Sequence, residues 1–157
     1  MSLLKKITSF TVLPEWLDYN GHMNDAAYAL VFSRAIDAFA DSLGIGPEFH
    51  ARTKFTLYTL SMLIHYRLEA KLGENLDVFA QLLDHDSKKM HLWLEMRRGD
   101  DVIALSEQLH VCVDQNLEPP RSAAFPGETA SLLAVLTQEQ AHLPKPELAG
   151  KGIGIRR

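Results

Sequence analysis

The chain has 157 residues, 46% of them apolar, enough to bury one core and short for two, so a single domain is expected. Its 16 basic residues stand against 20 acidic ones, a formal net charge of −4, and no like-charge run exceeds short pairs such as Lys5-Lys6, Lys88-Lys89 and Arg97-Arg98, which argues against a nucleic-acid partner. The single cysteine, Cys112, excludes an intrachain disulfide framework; no apolar run reaches membrane-spanning length and MSLLKKITSF lacks a signal-peptide core, so a cytoplasmic protein without a membrane partner is expected.

ITSFTVLP (7–14) mixes β-branched and aromatic residues and ends at a proline, and reads as a first strand. NDAAYALVFSRAIDAFADSLG (24–44) places Tyr28, Val31, Phe32, Ala35, Ile36, Phe39, Ala40 and Leu43 on one stripe. That is the i, i+3, i+4 pattern of a helix with one buried face, capped by Asn24 or Asp25 and stopped by Gly44. From residue 54 the period changes to strands: 54–70, 76–86, 88–98 and 102–114, separated by KLGEN, Asp86-Ser87 and GDD. In the third of these, Met90, Leu92, Leu94 and Met96 face one side, with His91, Trp93 and Glu95 on the other. A shorter helix is predicted over 128–143, within a domain spanning 1–143, and the Pro- and Gly-rich tail 144–157 reads as mobile or partner-dependent. One long striped helix among antiparallel strands needs a sheet to cover it, which makes the class α+β.

The chemistry concentrates in PEWLDYNGHMNDAAY (14–28). Asp18, Asn20 and His22 alternate around Gly21, which permits a turn, and the stretch runs into a helix N-terminus with free N–H groups that could hold a carbonyl oxygen or an anion. Gly21, Met23 and Asn24 are the candidates for such an oxyanion site. Caps and an Asn-Gly turn would account for part of this pattern, but three polar groups of different proton capacity in five residues exceed what capping needs. Asp18 and His22 could be two metal ligands, but no His-x-x-x-His or cysteine-rich spacing supports a site, so no metal is expected.

The segment DYNGHMNDAAYALVFSRAIDAF resembles the signature of the hotdog-fold acyl-CoA thioesterases of the 4-hydroxybenzoyl-CoA type, and the strand, helix, four-strand order extends the resemblance over most of the chain. It implies a long central helix wrapped by a curved antiparallel sheet of about five strands, and pairing of two chains so that their sheets become continuous. It also implies hydrolysis of an acyl-CoA thioester, with CoA as part of the substrate and no further cofactor. In this resemblance Asp18 takes the place of the catalytic carboxylate, as nucleophile or as general base on water. Asn20 and His22 match an Asp-x-Asn-x-His pattern in which the histidine activates and the asparagine orients. Glu69, in YRLEAKLG, takes the place of a strand glutamate, and the strand period would put His65 on its face.

More narrowly, VLPEWLDYNGHMNDAAY is similar to thioesterases of carnitine breakdown that act on betainyl-CoA. A trimethylammonium acyl group calls for an aromatic box, which Trp16, Tyr19, Tyr28, Phe32 and Trp93 could supply, although Tyr28 and Phe32 lie on the helix stripe and could simply be core. The rival readings are a general short- or medium-chain acyl-CoA thioesterase and a hotdog protein that binds acyl-CoA without cleaving it. A homodimer or a dimer of dimers is expected, because a small sheet covered on one face leaves an open edge. Arg52, Lys54, Lys88, Lys89, Arg97 and Arg98 are the candidates to meet CoA phosphates.

Overall fold

A computed structural model describes residues 4–157. The first three positions of the expected domain, and of the stretch read against a signal peptide, lie outside the described residues. The elements are β1 (Lys5–Thr11), a 3-10 turn (Pro14–Trp16), α1 (Asp25–Ser42), α2 (Pro47–Thr53), β2 (Phe55–Tyr66), β3 (Asn75–His85), β4 (Lys89–Arg98), β5 (Asp101–Asp114), β6 (Arg121–Ser122) and α3 (Gly127–Glu139). The expected order is present, with the short α2 and the two-residue β6 added. Helix α2 escaped the sequence reading because none of its residues is fully buried, so it carries no apolar stripe; its only signal is Pro47 at the first helical position.

Helix α1 starts where Asn24 Oδ1 accepts the Ala27 N–H at 2.9 Å. It buries Tyr28, Val31, Phe32, Ala35, Ile36, Phe39 and Ala40 of the predicted stripe together with Ala27; the stripe's Leu43 is buried just past its end, before Gly44, whose φ of +72° is left-handed. The chain then folds back at Gly46, where a Cβ would come within 2.8 Å of Asp41 Cα, so a larger residue would push this turn off the helix.

All strand pairs are antiparallel, in the order β1-β3-β4-β5-β2, with β6 on β5. Strand parity decides which side chains meet α1. Met90, Leu92, Leu94 and Met96 of β4 point into the main core with Leu76 and Val78 of β3, while Trp93 points to the opposite face. Register shifts between Thr59 and Ser61 and between Leu82 and Asp84 bend the sheet around α1. The result is the α+β hotdog arrangement that the resemblance implies. Strands β1 and β2 are its edges, and β2 is exposed from Tyr58 to Ser61.

Helix α3 closes the core with Leu133 and Leu136, and its Thr129 hydroxyl donates to Leu43 O at 2.8 Å. The tail then crosses the outer face of the sheet. Gln81 Nε2 donates to Pro144 O, and the Gly150 N–H donates to both Glu107 carboxylate oxygens at 2.8 and 3.0 Å. Leu148 and Ala149 pack on Trp93 and Leu105. The segment expected to be mobile or partner-dependent therefore has a partner within its own chain as far as Gly150; Ile153 and Ile155 beyond it are exposed.

Candidate active site

Residues 17–23 form a closed loop between the first strand and α1. Leu17 and Met23 bridge across its neck, the Asp18 N–H donates to His22 O at 2.9 Å, and the Gly21 N–H donates to Asp18 O at 3.0 Å. Gly21, at φ +76°, makes that reversal in a conformation other residues resist. The Asp18 carboxylate is oriented from inside the loop by the Asn20 N–H, 2.8 Å from Oδ1. Orientation by Asn20 thus comes from its backbone, and one carboxylate oxygen of the half-buried Asp18 is engaged in this way.

The loop is held against the segment that follows β2. The Met23 N–H donates to Ala70 O at 2.8 Å, His22 bridges to Lys71, and His22 Nε2 lies 3.1 Å from Glu69 Oε2. Two tyrosines brace the join: Tyr28 Oη donates to Leu68 O at 3.0 Å, and Tyr66 Oη donates to Asp25 O at 3.1 Å, their rings meeting edge to face at 5.2 Å. Burial raises both hydroxyls above the ordinary tyrosine range, which keeps them protonated donors at neutral pH. Arg98 finishes the frame, donating to Glu69 O at 3.1 Å and Glu74 Oε2 at 2.8 Å. The Lys71 N–H, followed by Arg98, holds the Glu74 carboxyl below the usual range.

Asp18, Asn20, Gly21, His22 and Glu69 are brought together, while other expectations are revised. Glu69 lies just beyond β2, which ends at Tyr66, so the strand period does not carry on to it. His65 points to the outer face beside Trp93, with ring centroids 6.4 Å apart. The histidine ring of the loop is bonded to Glu69 and makes no side-chain bond to Asp18 among the described residues. The N–H groups of Gly21, Met23 and Asn24 already donate to Asp18 O, Ala70 O and Trp16 O, so the oxyanion role expected for them has no free donor there.

The aromatic box is not assembled around Asp18 within one chain. Trp93 is only 2% exposed and lies under the tail on the far side of the sheet. Trp16 is buried, with the Arg34 guanidinium 5.8 Å from its ring centroid, so a cation already sits over that ring. Tyr28 and Phe32 belong to the core, and only Tyr19, 98% exposed, offers a free ring beside Asp18. Two cations suggested for CoA phosphates are engaged elsewhere, Arg97 with Glu95 and Arg98 with Glu74 and Asp101. Tyr66 and Arg98 were missed as parts of the frame. Their partners lie 41 and 24 residues away, beyond the reach of any local pattern.

Residues 12–135 match the family described as the Thioesterase-like superfamily. The chain is 40% identical over 146 residues to a betainyl-CoA thioesterase of Pseudomonas aeruginosa, covering 92% of this chain and 91% of that protein. It is 32% identical to an L-carnitine dehydrogenase/betainyl-CoA thioesterase of Rhizobium meliloti, covering 90% of this chain but 28% of that longer protein. Among solved structures, a hypothetical protein from Staphylococcus aureus in complex with CoA superposes with a TM-score of 0.88 at 28% identity over 99% of both chains. A candidate thioesterase from Pseudomonas putida KT2440 superposes with a TM-score of 0.84 at 33% identity over 100% of both chains. With the curved sheet around α1 and the carboxylate loop at its N-terminus, these likenesses establish that the chain belongs to the Thioesterase-like superfamily, as a hotdog-fold hydrolase of acyl-CoA thioesters.

Proposed function

We propose that this chain hydrolyses betainyl-CoA to betaine and CoA, in the cytoplasm, as a homodimer joined through its β2 edges. The observation that carries the substrate is the 40% identity to the Pseudomonas aeruginosa betainyl-CoA thioesterase over nearly the full length of both proteins. The dimer is supported by the open β2 edge, whose unpaired backbone groups an antiparallel copy would satisfy. A likeness to a CoA complex over 99% of the chain supports CoA-ester binding.

Asp18 is the reacting carboxylate. As a general base it takes a proton from water, the hydroxide adds to the thioester carbonyl, and the tetrahedral intermediate expels CoA thiolate, which recovers the proton. As a nucleophile its oxygen displaces CoA thiolate to give a mixed anhydride that water then cleaves. His22 and Glu69 position the loop. Neither route needs a metal or a further cofactor.

Thiol release followed over a panel of acyl-CoAs tests this. The expected result is highest kcat/KM with betainyl-CoA; a preference for uncharged short- or medium-chain esters replaces the substrate, and tight binding without release replaces catalysis. In a single turnover in oxygen-labelled water, label found in the Asp18 carboxylate establishes the nucleophilic route, since only a mixed anhydride cleaved at the aspartyl carbonyl places it there.

A further inference from the structure

A cavity of about 350 Å³ lies at the opposite end of α1 from the Asp18 loop, between the C-terminal half of that helix, α2 and the start of β2. Ser33, Ile36 and Asp37 form one wall, with His50, Thr59 and His110 facing them. Its size is within the range of small-molecule sites. Asp37 is the one carboxylate in the lining, which contains no lysine or arginine, and it forms no ion pair among the described residues.

His110 of β5 lines the inner wall, and a buried polar stripe on that strand, which the reaction at Asp18 leaves unused, holds it. Gln108 Nε2 donates to Ser106 Oγ at 2.9 Å, which turns the Gln108 carbonyl towards His110 Nε2 at 3.0 Å. That nitrogen therefore carries the proton, and His110 Nδ1 accepts from the Thr59 hydroxyl at 3.3 Å. Burial pushes His110 down to about 4, so this residue adds no positive charge at neutral pH. A cavity with one carboxylate, no lysine or arginine and a neutral His110 suits a compact cation.

The position along β2 decides which Asp18 such a cavity can serve. Thr59 lines the cavity, whereas Tyr66, at the other end of the strand, braces the Asp18 loop through Asp25 O. The intervening strand spans roughly 23 Å, beyond the reach of a short acyl group within one chain. Antiparallel pairing of two β2 edges about a two-fold axis brings the end of one strand against the start of the other, and with it one loop against the other chain's cavity.

We propose that this cavity is the subsite for the quaternary ammonium of the acyl group, with Asp37 as its counter-charge, and that it serves the Asp18 of the partner subunit. The proposal rests on the betainyl-CoA reading and on the β2-paired dimer. It moves cation recognition from the aromatic residues singled out in the sequence to a carboxylate on α1.

The test uses betainyl-CoA and its neutral isostere, in which a tert-butyl group replaces the trimethylammonium. In Asp37→Asn the ratio of the two kcat/KM values is expected to fall roughly tenfold or more, the scale of losing one nearby charge in a partly solvated site. Asp37 is solvent-exposed, so the variant is expected to fold, and a thermal melt matching the wild type verifies this. A doubly tagged mixed dimer of Asp18→Asn with Asp37→Asn tests the arrangement between chains. It is expected to recover half the wild-type turnover with wild-type selectivity, because one of its two sites has both aspartates. A ratio unchanged in Asp37→Asn, with a wild type that does cleave betainyl-CoA, overturns the subsite alone, and a mixed dimer with the selectivity of Asp37→Asn overturns the shared arrangement. No thiol release from betainyl-CoA by the wild type overturns the substrate reading first and the subsite with it.

Discussion

The Asp18 loop with the preceding Trp16 and the outer face around Trp93 both carry a tryptophan and histidine side chains, and the structure treats them differently. In the loop the polar groups are bonded: Asp18 to the Asn20 N–H, His22 to Glu69, and the tyrosines of the frame to backbone carbonyls. On the outer face His91 meets Glu107 at 2.7 Å, but Trp93 Nε1 and His65 Nε2 are buried without hydrogen-bond partners among the described residues, beside a tail held by Glu107. The difference teaches that residue type alone does not locate a site here. A loop that bonds its own backbone can leave a carboxylate oriented and half-buried, whereas the outer face spends its aromatic residue on packing.

The largest expected effect separates the two regions directly. Asp18→Asn keeps an oxygen for the Asn20 N–H, so the loop and the melting temperature are expected to persist while kcat falls roughly a thousandfold, about 4 kcal/mol of transition-state stabilisation. A folded variant with near-normal kcat would remove Asp18 from the chemistry. Trp93→Ala is the reverse case. It is expected to cost about 3 kcal/mol in urea unfolding, by leaving a cavity under Leu148 and Ala149, with the acyl-CoA preference of the remaining folded protein unchanged. A changed preference at wild-type stability would bring the outer face back into the site.

The buried His110 gives a pH dependence from the inner wall. Between its ordinary value of 6.5 and about 4, the unfolded chain binds a proton that the folded chain does not. Its contribution to stability is therefore present above that window and lost as pH falls through it, by up to about 3 kcal/mol. Unfolding midpoints measured from neutral pH down to the foot of the window check this, and His110→Gln is expected to flatten the slope. The smallest effect is at Glu69→Gln. Glu69 meets His22 at an exposed position, so a fall in kcat of about threefold is expected with little change in KM, as for a group that positions the loop. A loss as large as that of Asp18→Asn would promote Glu69 to the chemistry itself.

Much of the fold was legible because its periodicities are local. The stripe of α1 and the alternation in β4 appear in the structure as read, and the carboxylate loop stands where Asp18, Gly21 and His22 announced a turn. What failed depended on distance or on where an element ends. Glu69 looked like a strand residue because the strand was read over 54–70, but the Arg67 and Leu68 N–H groups turn to Ile103 O and β2 ends at Tyr66. The three oxyanion donors looked free because a sequence does not show that Ala70 O and Trp16 O come to meet them.

By itself the sequence determined the helix stripe, the strand alternation, the identity of the carboxylate loop and the family, since spacing along the chain controls which side chains share a face and which turn a glycine allows. Only the tertiary structure decided which of those faces meet. Curling of the sheet around α1 put Trp93 and Trp16 on opposite sides, the tail found Glu107 across 43 residues, and Thr59 found His110 across 51. Such contacts follow from strand register and from burying one continuous core, which no short stretch encodes.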